Sequence, residues 1–100
     1  MSISQENAIS SAKQYLSFAS FSRTGLIRQL SSDAGDGYNL EDAQSAVDYL
    51  DVNWKDQARK SAVNYLEITA FSCQGLIEQL SSDAGEGFTL EQAKYGAEST

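Results

Sequence analysis

The chain contains no histidine and no proline, and one cysteine among its 100 residues. Each scarcity closes off a class of function. Without histidine the commonest general base and the commonest metal ligand near neutral pH are both missing. A single thiol, Cys73, cannot close an internal disulfide, so no disulfide framework supports the fold. Cysteine usage therefore leaves the compartment open. No apolar run approaches the length of a transmembrane helix. The opening residues, MSISQENAISS, lack the basic and apolar regions of a signal peptide.

What is present argues for a packed protein. Hydrophobic residues make up 41% of the chain, with Trp54, five tyrosines and four phenylalanines among them, which is a composition that builds a core. The length suits one modest domain or two very small ones. Fourteen acidic residues against seven basic ones give a net charge of −7. That field repels nucleic acid and anionic lipid and attracts a basic partner.

The strongest signal is internal. GLIRQLSSDAGDGYNLEDA begins at Gly25, and GLIEQLSSDAGEGFTLEQA begins at Gly75. Laid over each other at a shift of 50 residues, 8–50 and 58–100 are identical at 21 of 43 positions without a gap. A fixed-period repeat of this kind marks tandem copies of one supersecondary unit. The units are expected at residues 1–50 and 51–100, with YLDVNW (Tyr49 to Trp54) as a boundary free of Gly, Ser and Pro rather than a flexible linker.

Apolar residues at offsets of three and four trace three helices per unit. The first helix carries Ala8, Ala12, Tyr15, Leu16 and Ala19, and in the second copy Trp54, Ala58, Ala62, Tyr65, Leu66 and Thr69, behind Asn53 as N-cap. The second is capped by Ser22 or Ser72 and carries Leu26, Ile27, Leu30 and Ala34, or Leu76, Ile77, Leu80 and Ala84. It is expected to end at Gly35 or Gly85 in a left-handed C′ conformation, with Gly37 or Gly87 continuing the turn. Asn39 or Thr89 caps the third helix, Thr89 with Gln92 in a capping-box spacing. Its stripe in the first copy is Leu40, Ala43, Val47 and Leu50. The reading is all-α: two tandem three-helix units, each containing a helix-turn-helix, with Tyr15/Tyr65, Leu26/Leu76 and Leu30/Leu80 in the cores.

Sites for chemistry are tested and fail. Counted from Asp33 as a calcium loop, positions 3 and 5 are Gly35 and Gly37, which offer no side-chain oxygen. The same loop has no Lys or Arg to hold a phosphate, and Asp36 opposes one. Glu41 and Asp42 are neighbours in sequence and point to different parts of a helix surface, unlike a converging catalytic pair. Cys73 stands where the first copy has Arg23, with no base to activate it. The helix from Leu40 to Leu50 carries Glu41, Asp42 and Asp48 and no basic residue, and its repeat sets Glu91 and Glu98 against Lys94. A DNA-recognition helix would not carry that charge. The chain is thus expected to be no enzyme and to need neither metal nor cofactor.

The candidate functional surface is the acidic one: Asp33, Asp36, Glu41, Asp42, Asp48, Asp51 and Asp56, echoed by Asp83, Glu86 and Glu91. It reads either as solubilising charge or as a docking face for a cationic partner. Should the acids only solubilise, Phe18, Tyr38 and Phe88 are the aromatic alternatives.

The string Phe-Ser-x-x-Gly-Leu-Ile-x-Gln-Leu-Ser-Ser-Asp-x-Gly-x-Gly-[Tyr/Phe]-x-x-Glu-x-Ala, at Phe21–Ala43 and again at Phe71–Ala93, resembles the repeat of the host cell surface-exposed lipoprotein family. Val52-Asn53-Trp54 and the Ala-x-x-x-Ala-x-x-Tyr-Leu stretches are similar as well, so the resemblance covers nearly the whole chain. It implies a lipid-anchored protein outside the cytoplasmic membrane. In a phage member it implies superinfection exclusion, in which a second phage adsorbs but its DNA is kept out. The expected partner is a basic segment of the tail tape measure protein, met by a monomer. The membrane would be reached only through an N-terminal lipid anchor that this sequence lacks, so the chain is expected to be a soluble fragment. The competing expectation is an envelope module that binds wall polymer or a host protein.

Overall fold

A computed structural model describes residues 2–83 and 85–100. Among them are six helices and no strand: α1 (Ile3–Phe18), α2 (Arg23–Ser31), α3 (Leu40–Tyr49), α4 (Trp54–Ile68), α5 (Cys73–Ser81) and α6 (Leu90–Glu98). The chain divides into two compact units. One holds the chain up to Ala19 together with Arg23–Val52, and the other holds Ser20–Ser22 together with Asn53–Thr100.

Helix starts follow the capping signals. Ser2 and Gln5 form a capping box on α1, and Thr89 and Gln92 form another on α6. The side chains of Asn39, Asn53 and Ser72 accept backbone N–H groups at the starts of α3, α4 and α5.

Helix ends depart from the expected pattern. α2 stops at Ser31 and α5 at Ser81, well before the first glycine. The loop then folds back over the helix end. Asp36 N–H donates to the Gln29 carbonyl at 3.1 Å and Tyr38 N–H to Leu30 at 2.9 Å. Glu86 to Gln79 and Phe88 to Leu80 repeat this at 3.2 and 2.9 Å. Carbonyls left over at a helix C-terminus are thereby satisfied. The left-handed residues are Gly37 (φ 71°) and Gly87 (φ 75°), not Gly35 and Gly85. Gly35 serves a different need, because a β-carbon there would overlap the Gln29 carbonyl oxygen. Gly85 stands in the same relation to Gln79.

In the first unit α3 packs on α1 and α2, burying Ala8, Ile9, Ala12, Leu26, Ile27, Leu30, Ala43, Ala46 and Val47. In the second, α6 packs on α4 and α5 over Ala58, Ala62, Leu76, Ile77, Leu80, Phe88, Ala93 and Ala97. Small residues line the contact of the first and third helix of each unit and let the backbones approach. At Gly96 an added β-carbon would stand 2.7 Å from the Ala58 backbone, whereas Ala46 fills the matching position of the first unit.

Leu26, Leu30, Leu76 and Leu80 are buried as expected, while Tyr15 and Tyr65, also expected in the cores, are half-buried. Five expected apolar positions are corrected. Leu66 is 40% exposed near the end of α4. Leu40 is 55% exposed, as is its counterpart Leu90 at 56%, because each is the first helical residue and the buried stripe begins three residues later. Ala19 and Thr69 are exposed C-caps of α1 and α4, and Ala34 is exposed in the loop beyond α2. Ala84 lies outside the described residues.

Candidate docking surface

The acids expected to form one face have differing local roles. Asp48 is bound bidentately by Arg23, with Nε and Nη2 donating at 2.8 and 2.9 Å. That guanidinium holds the Asp48 carboxyl below its usual range. Asp56, in the first turn of α4, accepts from Arg59 at 2.9 Å and faces Lys60 at 3.5 Å. Arg59 is the main cause of its lowered pKa. Glu91 meets Lys55 at 3.2 Å, and the same ammonium lies 5.7 Å from the centre of the Tyr95 ring. Asp51 is a left-handed residue, φ 50°, directly after the Leu50 C-cap of α3. Asp42 is half-buried in the first turn of α3, where its backbone N–H bonds the Asn39 cap and its charge suits the helix dipole. Asp33, Glu41 and Asp83 are exposed. No salt bridge reaches those three among the described residues.

Asp36 lies in a groove that sequence reasoning missed. An open hollow of about 520 Å³ in the first unit is lined by Ser11, Gln14, Tyr15, Phe18, Asp36 and Tyr38. Tyr15 donates to Asp36 Oδ1 at 2.8 Å, and Gln29 donates to the Tyr15 hydroxyl at 3.3 Å. The bond to Asp36 favours the protonated phenol and raises the Tyr15 pKa. The Ser11 and Tyr38 hydroxyls are 3.2 Å apart. Phe18 is 71% exposed on the rim, its ring 6.0 Å from that of Tyr15.

The second unit uses the same positions differently. Gln79 donates to Tyr65 at 3.3 Å, as Gln29 does to Tyr15. Burial is the main cause of the raised Tyr65 pKa, with Glu86 nearby adding to it. Phe88, expected as an exposed aromatic, is 2% exposed and belongs to the core. Two buried polar residues, Gln57 and Ser61, were not foreseen. Gln57 Oε1 accepts the Phe21 N–H at 3.0 Å, and Ser61 pairs with the Ser20 hydroxyl at 2.8 Å. The only sequence sign of this was the exchange of Gln57 for Asn7 and of Phe88 for Tyr38 between otherwise similar copies.

A second hollow of about 330 Å³ in the first unit is lined by Arg23, Thr24, Ile27, Arg28, Ser31, Leu40 and Gln44. Cys73 is exposed in the first turn of α5. Among the described residues no group of three His, Cys, Asp or Glu side chains could hold a metal ion. None of the described helices is long and apolar enough to cross a membrane.

Fold and surface together define an all-helical protein of two tandem repeats, with small grooves and paired surface charges. The chain belongs to the host cell surface-exposed lipoprotein family, which it matches twice, over residues 4–50 and 53–99. Its structure is similar to that of Ltp, a superinfection exclusion protein from the Streptococcus thermophilus temperate phage TP-J34. The TM-score is 0.89 at 29% sequence identity, covering 100% of this chain and 98% of the other. No curated protein sequence matches the chain.

Proposed function

We propose that the protein excludes superinfecting phage without catalysis, by binding a component that the incoming phage delivers. The observation that carries this reading is the near-complete structural likeness to a superinfection exclusion protein, at an identity high enough to extend beyond fold. The target is a basic segment of a tail tape measure protein, and its capture blocks DNA injection after adsorption. The acidic balance of the chain supports such a partner. The family description supports a place at the cell surface, held at the outer face of the cytoplasmic membrane by a lipid anchor. Two linked modules raise avidity for a long target that both can meet.

The test is phage challenge of cells displaying the anchored protein. Plating efficiency should fall while adsorption stays unchanged and phage DNA remains outside the cell. Undiminished plating at confirmed surface expression would overturn the reading and favour a wall- or host-binding module.

A further inference from the structure

The groove of the first unit has a filled counterpart. In the second unit the same repeat positions are covered by the segment Ser20-Phe21-Ser22. Ser20 bonds Ser61 at 2.8 Å and accepts from Asn64 at 3.4 Å. Phe21 N–H donates to Gln57 at 3.0 Å, and the buried Ser22 hydroxyl donates to the Glu86 carbonyl. Subtracting the 50-residue repeat from the receiving residues gives Asn7, Ser11, Gln14 and Asp36. The last three line the open groove, and Asn7 is exposed one turn before Ser11 on α1. The framework beneath is the same in both units, since the glutamine-to-tyrosine bond and the loop-to-helix bonds recur at matching positions.

We infer that this groove binds the Ala70-Phe71-Ser72 segment of a second copy of the chain, in head-to-tail association. That segment is the repeat counterpart of Ser20-Phe21-Ser22 and stands between α4 and α5 as the other stands between α1 and α2. Ala70 and Ser72 are exposed, whereas Ser22 is buried. Two of the four bonds carry over directly. The Ser72 hydroxyl accepts the Gly75 N–H at 2.9 Å as N-cap, and its own proton is left to donate to the Asp36 carbonyl. The Phe71 N–H takes the place of Phe21 N–H opposite the Asn7 amide oxygen. Where the second unit pairs Ser61 with Ser20, the arriving segment has Ala70, which has no hydroxyl. In the groove that needs no replacement, because Ser11 already has the Tyr38 hydroxyl as partner. Phe88, the counterpart of Tyr38, has none to offer. Groove and segment thus differ from their filled counterparts in compensating ways. The contact is heterologous and does not close on itself, so it makes short chains of molecules rather than a symmetric pair. It is small and therefore weak.

The experiment is sedimentation of the chain over rising concentration, with amide chemical shifts followed in parallel. The mean mass should rise, and shifts should move at Ser11, Gln14, Asp36 and Tyr38 and at Ala70–Ser72. Gln14→Arg blocks the groove and Ala70→Arg blocks the segment. Both sites are exposed, so the helical signal should not change. Each variant alone should associate at least about tenfold more weakly, a loss of about 1.4 kcal/mol. An equimolar mixture should form a one-to-one complex that grows no further, since one intact groove and one intact segment remain. The proposal fails if the parent stays monomeric to about 1 mM, where only contacts weaker than about 4 kcal/mol go unseen. It also fails if the shifts fall elsewhere, if the folded variants associate like the parent, or if they do not complement each other. None of these readouts depends on phage, so exclusion can stand or fall separately.

Discussion

Single residues in the loop after α2 are decided by very short distances. Gly35 lies against the Gln29 carbonyl, so even one methyl group must push the loop off the helix end. Gly35→Ala should cost about 1–3 kcal/mol, the usual range for a group forced into filled space. Gly37 has open space around it, and only its left-handed backbone resists a side chain. Gly37→Ala should therefore cost about 1–2 kcal/mol by backbone strain alone. Thermal melts of both variants check the order, and a Gly35→Ala chain as stable as the parent would remove the close approach from the account. Asp51 tests the same principle in reverse. Aspartate tolerates φ 50° better than most residues, but glycine does so at no steric cost. Asp51→Gly should melt no lower than the parent, whereas Asp51→Val should melt lower. If valine were harmless, Asp51 would hold no left-handed backbone, and its charge could be assigned wholly to the surface.

At the scale of helices, the spacing of Leu26, Ile27 and Leu30 was enough to place the core face of α2, and the copy at Leu76, Ile77 and Leu80 confirmed the phase. Leu30 is fully buried, so Leu30→Ala should cost about 2–5 kcal/mol in denaturant unfolding. A cost below about 0.5 kcal/mol, the ordinary range for surface sites, would contradict its position. Periodicity was less informative at helix ends. Leu40 matches the stripe of α3 in spacing, but a residue directly after an N-cap lies ahead of the packed turn. Gly35 looked like a helix terminator because composition cannot tell a left-handed turn from a close approach. The groove was illegible for another reason: Ser11, Gln14 and Tyr38 are ordinary surface types, and only the loop's return over α2 brings Asp36 and Tyr38 to α1. The bridge from Arg23 on α2 to Asp48 on α3 was equally hidden, 25 residues apart in sequence. Its effect on pH dependence has a definite sign. Asp48 has a lowered pKa in the folded state, so its contribution is present above its usual value of 3.8 and is lost as pH falls through the lower, folded value. The stability gap between parent and Asp48→Asn should thus be small at neutral pH, at most about 1 kcal/mol for an exposed pair, and vanish in acid. A gap that widens in acid would show that Arg23 is not its cause.

For the whole molecule the question is whether the acids bind or only solubilise, and the internal pairing narrows how this can be asked. Seven acids lie in residues 1–52 and seven in 53–100, so neither repeat alone carries the charge. Asp48, Asp56 and Glu91 hold basic groups of their own unit. Reversing them would leave Arg23, Arg59 or Lys55 facing like charge and confuse folding with binding. Asp33, Glu41 and Asp83 are exposed and outside those bridges, which makes them the cleaner probe. Each exposed charge contributes only about 0.2–1 kcal/mol, so one reversal should hardly change binding. Reversing all three to lysine shifts the net charge by six and should slow association with a basic tail segment, with helical content retained. The difference should shrink at about 1 M salt, where the screening length falls to about 3 Å. Affinity and plating efficiency measured on the same triple variant give the answer. If it binds and protects as the parent does at low salt, these three acids serve solubility, and the partner is bound elsewhere on the protein.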